Sequence, residues 1–145
     1  MSSHIFHLRE IAHSRAGDKG DTSNVSVIAY RPEFFPVIVE QVTINVVRAY
    51  FGALVKGQIT RYTLPHHNAL NIVMEESLGG GVTRSLSLDP HGKSYSALML
   101  TLPVLINVSL SEVLFAAGRK PVDRNVLLRL RELGRLPAHI EEIFN

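Results

Sequence analysis

Residues 14–24, SRAGDKGDTSN, bring more polar chemistry together than any other stretch of this chain. Arg15 and Lys19 are suited to hold an anion. Asp18, Asp21 and Asn24 can orient those cations or hydrogen-bond the backbone around them. Gly17 and Gly20 allow backbone angles closed to other residues, so neighbouring amides can turn toward a bound group. The same composition also suits a polar turn that does no more than join two strands.

A second candidate lies at Gly79-Gly80-Gly81-Val82-Thr83-Arg84, a flexible turn ending in a cation. It lacks the Lys-Ser/Thr ending of a phosphate-binding P-loop and is no dinucleotide fingerprint. Asn71 sits among apolar neighbours, and a buried amide there needs partners, most simply in an adjacent loop. His66 and His67 are adjacent, so on a strand they point to opposite faces and make a poor metal pair. They remain candidates for local acid–base work. There is no Gly-x-Ser-x-Gly elbow. Asp18 and Asp21 as a hydrolytic pair would be kept ionised by Arg15 and Lys19. No motif calls for a metal or a cofactor.

The whole chain bounds these readings. Its 145 residues are 46% hydrophobic and 19% charged, enough for one domain with a real core. The formal charge is +2 and Trp is absent. With no clustered basic face, nucleic-acid binding is not expected. There is no cysteine, which excludes disulfides and thiolate chemistry. No apolar run approaches the ~18 residues of a membrane span. The N-terminus does not read as a signal peptide, so the cytoplasm is the expected location.

The elements that must position the polar residues follow from periodicity. Residues 5–13 predict a first strand leading into the polar stretch, and residues 24–30 alternate as a second. Residues 33–52 are β-branched but too long for a strand. Phe34, Ile38, Val42, Val46 and Tyr50 recur at steps of four, with Pro36 early and Gly52 at the end, which predicts one helix. Residues 55–64 and 69–76 predict strands, and 83–88 a further short one. Residues 93–104 are apolar on both periods. Residues 109–117 predict a helix capped by Ser109, residues 121–133 a second with a basic side, and Pro137 opens a last turn. The order is that of an α+β domain.

Two blocks carry a family resemblance. RAGDKGDTSNVSVIAY, and LPHHNALNIVMEESLGGGVTRSLSLDPHGKS at residues 64–94, resemble the small C-terminal ferredoxin-like domain of AtuA-type proteins, named for acyclic terpene utilisation. The resemblance covers roughly residues 5–104. It implies a ferredoxin-like sheet with helices on one face over residues 1–104, and leaves 105–145 as a helical extension. It also implies that the two glycine-bearing blocks lie near one another. The expected ligand- or partner-binding set is then Arg15, Gly17, Asp18, Lys19, Gly20, Asp21, Asn24, Asn71 and Arg84.

In that family the domain usually follows a much larger one. The resemblance therefore implies an accessory subunit working with a separately encoded AtuA-like large subunit in catabolism of branched or terpenoid acids, as acyl-CoA thioesters. The alternative is a free-standing small enzyme or binding protein for an anionic metabolite, a carboxylate or phosphate, held by Arg15, Lys19 and Arg84. The apolar surplus of residues 105–133 predicts an oligomer, with itself or with a larger subunit.

Overall fold

The computed structural model describes residues 3–79 and 94–144. Two antiparallel sheets organise the chain. Strands β1 (His4–His7), β2 (Ala12–Lys19) and β3 (Thr22–Ala29) come first. Helices α1 (Phe35–Gln41) and α2 (Ile44–Phe51) lead to β4 (Ile59–Leu64) and β5 (Ala69–Met74). Then follow α3 (Ser94–Leu100), β6 (Pro103–Ile106), α4 (Val108–Ala116), α5 (Arg124–Glu132) and α6 (Ala138–Phe144). The four-stranded sheet has the order β2-β3-β5-β4, and β1 pairs with β6 separately.

The run from β3 to α3 follows a ferredoxin-like path: strand, helices, two strands, helix, with β3 and β5 central. The fourth place in the sheet, beside β3, belongs to β2, which arrives through a hairpin. The strand after α3 pairs with β1 instead. The α+β class and the ferredoxin-like sheet are thus as the sequence implied, with this change in which strand fills the edge.

One face of the large sheet is apolar and covered. Val25 and Val27 on β3, and Leu70, Ile72 and Met74 on β5, are fully buried there. They pack with Phe34, Ile38 and Val42 from the α1 region, Val47 and Phe51 of α2, and Met99 of α3. The two-stranded sheet adds Phe6, Val104 and Ile106 to this core. A second cluster of Val122, Leu127, Leu136, Ile140 and Phe144 packs against Ile5, on the other side of the small sheet. The extension therefore closes over β1–β6, and β1 accepts a bond from Val122 N to Ile5 O at 2.8 Å.

Five expectations need correction. The first strand over residues 5–13 is broken by a 3-10 turn at Leu8–Glu10, and its two halves, β1 and the start of β2, lie in different sheets. The polar stretch is not an open loop. Its residues pair in register from Ala12–Ala29 to Lys19–Thr22, with Gly20 and Asp21 as the turn. Gly20 has φ +61°, as a type II′ hairpin requires at its first central position. The single helix over 33–52 is two helices bent by 72°. The break falls at Val42-Thr43, where the Thr43 side chain accepts from Val46 N and caps α2. A β-branched capping residue restarts the helix more readily than it continues one. The cap of α4 is Asn107, accepting from Leu110 N at 2.9 Å, not Ser109. Finally, β4 begins at Ile59, after a backbone approach that Gly57 permits: a Cβ there would lie 2.8 Å from the Glu75 carbonyl oxygen. The strand expected at 83–88 lies outside the described residues.

Candidate interaction surface on the four-stranded sheet

Alternation along a strand sends neighbours to opposite faces. On β3, Ser23, Val25 and Val27 turn to the core, so Thr22, Asn24, Ser26 and Ile28 turn away. Register then places His13, Arg15, Gly17 and Lys19 of β2 on that outer face. It adds Ala69, Asn71 and Val73 of β5, and Thr60, Tyr62 and Leu64 of β4. Tyr62 is 54% exposed and Leu64 43%. The outer face is amphipathic and no described carboxylate belongs to it by register.

Asn24 and Asn71 are joined on this face, Asn24 Nδ2 donating to Asn71 Oδ1 at 3.3 Å. Gly17 makes room for that pair. A Cβ at position 17 would stand 2.7 Å from Asn24 Oδ1. The Asn71 amide thus finds its partner across the strands rather than in a loop.

Asp18 faces the helix side of β2, opposite Ser23. Asp21 serves the end of the sheet. Its Oδ1 accepts from Leu78 N at 2.9 Å and its carbonyl from Ser77 N at 3.0 Å. Beside it sits a buried hydroxyl network that the sequence analysis missed. Ser77 Oγ donates to Met74 O at 2.8 Å. Its lone pairs receive Ser23 Oγ at 2.7 Å and Ser23 N at 3.2 Å. The Tyr95 hydroxyl donates to Ser77 O. A serine at a core-facing strand position was the available signal, because a buried hydroxyl must have partners.

This corner opens on a cleft of about 410 Å³ whose described lining includes Asp21, Lys56, Glu76, Ser77 and Tyr95. Arg84, Gly80 and Gly81 lie outside the described residues. Among the expected site residues, then, Arg15, Gly17, Lys19, Asn24 and Asn71 share the outer face, while Gly20 and Asp21 form the turn at its end and Asp18 lies on the opposite face. His66 and His67 are exposed in a turn between β4 and β5. Among the described residues, no group of three or more His, Cys, Asp or Glu could hold a metal ion.

Away from the outer face, burial shifts two imidazoles. His7 donates from Nδ1 to Thr101 O at 2.7 Å. Burial lowers its pKa from 6.5, with that bond opposing. His139 donates from Nε2 to Gln41 Oε1 at 2.9 Å, and burial lowers it too, with Glu40 and Glu142 opposing. Gln41 in turn bonds both Leu105 N and Leu105 O at 2.7 Å, closing one edge of β6.

The family of the AtuA ferredoxin-like domain matches residues 6–105. The chain belongs to that family. Neither the curated proteins nor the solved structures contain a match to it. The AtuA ferredoxin-like match ends within β6. Helices α5 and α6 follow as the cover over the small sheet, whereas Leu114 of α4 joins the main core. Among the described residues no single helix is long and apolar enough to cross a membrane, and the bent α1–α2 pair supplies core residues.

Proposed function

We propose that this chain is an accessory subunit that docks on a separately encoded AtuA-like large subunit, in breakdown of branched or terpenoid acids as acyl-CoA thioesters. Family membership supports the relation to AtuA proteins. One observation carries the docking role. A groove of about 350 Å³ runs where the extension meets the family-matched body. Tyr30 and Phe34 line one side, and Val113, Leu114 and Ala117 of α4 the other. Its rim arginines are already paired, Arg31 with Glu33 at 2.8 Å and Arg119 with Glu10 at 3.4 Å. With the rim charges paired, the groove suits an apolar side chain of a protein better than a free anion.

Co-expression with an AtuA-like large subunit tests this. The two chains are expected to co-elute in a fixed ratio. Val113→Asp, at an exposed position, is expected to abolish co-elution while leaving the thermal melt of the small chain unchanged. Co-elution that survives Val113→Asp overturns the groove as the docking site. Failure of the parent chain to co-elute overturns the accessory role.

A further inference from the structure

The outer face of the large sheet is arranged in rows that cross the four strands. One row runs Arg15, Ser26, Asn71, Tyr62. A cation stands at one edge and an aromatic ring at the other, with a hydroxyl and an amide between. The next rows run His13, Ile28, Ala69, Leu64 and Gly17, Asn24, Val73, Thr60.

We propose that this face packs against the same face of a second copy of the chain, about a two-fold axis parallel to the strands. Such an axis reverses the order of strands and keeps each residue's position along them. Arg15 then faces Tyr62 of the second copy, a cation over an aromatic ring, and the contact occurs twice. Ser26 faces Asn71 of the second copy, so a hydroxyl meets an amide. Aligned sheets pack about 10 Å apart with side chains interleaved.

Other occupants fit less well. An axis across the strands would gather the β2 cations of both copies, Arg15 and Lys19, at one place. A single-stranded nucleic acid needs aromatic rings on the central strands for stacking. Here β3 and β5 present Asn24, Ser26, Ile28, Asn71 and Val73, and the ring is on the edge strand. The plan area is about 20 Å by 19 Å from strand spacing and rise. That is small beside the ~800 Å² of accessible surface each partner buries in a standard interface, so association is expected at micromolar concentration.

The proposal does not depend on the large subunit, because the test uses this chain alone. Sedimentation equilibrium at about 5 to 200 µM is expected to show a monomer–dimer equilibrium. Tyr62→Arg sets an arginine against Arg15 of the other copy at both contacts and is expected to weaken the dimer roughly tenfold or more, from loss of two cation–ring contacts. Adding Arg15→Tyr restores the pairing in mirror order. The double variant is expected to return to within about threefold of the parent, less than 1 kcal/mol. Thr60→Arg, opposite Gly17, is a second disruption that no swap at 15 should rescue. Circular dichroism melts matching the parent show that each variant folds.

A parent monomeric throughout overturns the proposal. So does a dimer indifferent to Tyr62→Arg and Thr60→Arg, since it must use another surface. Loss without rescue in the double variant overturns the two-fold pairing of Arg15 with Tyr62. A monomeric chain whose docking on the large subunit is lost in Tyr62→Arg assigns the face to that subunit and equally overturns the proposal.

Discussion

Among the described residues, the small sheet is covered on both sides, and the large sheet on one. Strands β1 and β6 lie between the main core and the second cluster built by the extension. Gln41 closes the backbone of β6, and Val122 bonds that of β1. The large sheet buries Val25, Val27, Leu70 and Ile72 on its inner side and leaves Arg15, Tyr62 and Leu64 exposed on the outer one. The apolar surplus after residue 105 is therefore spent mainly on the pair of short strands, which could not stand alone. A two-stranded ribbon is at best marginally stable in water. The larger sheet packs Val25, Val27, Leu70 and Ile72 of its inner face into the main core.

The largest effect that could break this contrast is in the main core. Ile72→Ala is expected to cost about 2–5 kcal/mol, read from urea unfolding. Ile140→Ala, in the second cluster, should fall at the lower end of that range, because fewer side chains surround it. If it costs under ~0.5 kcal/mol, as an exposed residue would, the extension is not a structural cover.

Ser77→Ala removes the acceptor for Ser23 and the donor to Met74 O. It is expected to cost about 1–3 kcal/mol, since it strands a buried hydroxyl and a buried amide. Gly17→Ala should cost less, about 0.5–1.5 kcal/mol, chiefly the Asn24–Asn71 bond that the new Cβ displaces. Asn24→Ala in the same chain should remove most of that penalty. Additivity of the two losses would show that the contact inferred at position 17 is wrong.

The covered region should also be the more sensitive to acid. Folding lowers the pKa of His7 and His139 by burial. The unfolded chain then binds protons more readily than the folded one. The stability this provides is complete above the unfolded value of 6.5 and is lost as pH falls below it. Urea midpoints at pH 7.5 and 5.5 are expected to fall with acid, and by less in His7→Gln. The smallest effect belongs to the outer face. Tyr62→Ser in the monomer at low concentration should change stability within about 0.5 kcal/mol. A loss comparable with that of Ile140→Ala would mean that this face is covered within the monomer.

Much of the architecture is local and was legible in the residues. The alternation of NVSVIAY marks β3, since a period of two needs no distant partner to be recognised. Glycine at 52, with φ +56°, ends α2, and Asp123 caps α5 by accepting from Asn125 N. The polar stretch was visible as a feature but not as a hairpin. Its charges and glycines read as a loop because β2 has no apolar stripe of its own. Its outer face is polar, and its inner residues are small or polar: Ala12, Ser14, Ala16 and Asp18.

The candidate face itself was half legible. Arg15, Gly17, Lys19, Asn24 and Asn71 stood out by type, whereas Tyr62 and Ser26 did not, because nothing in their local pattern distinguishes them. Register alone joins them into a row with Arg15 and Asn71. Tertiary structure also decided that β6 pairs with β1, that the extension covers the small sheet, and that Asp18 and Arg15 part to opposite faces. Those outcomes depend on contacts between distant residues, such as Gln41 with Leu105, 64 positions apart. Side-chain pattern encodes which residues want burial and where the chain can turn. Which buried surfaces meet is settled by their competition for one another across the whole chain, and no local window contains that competition.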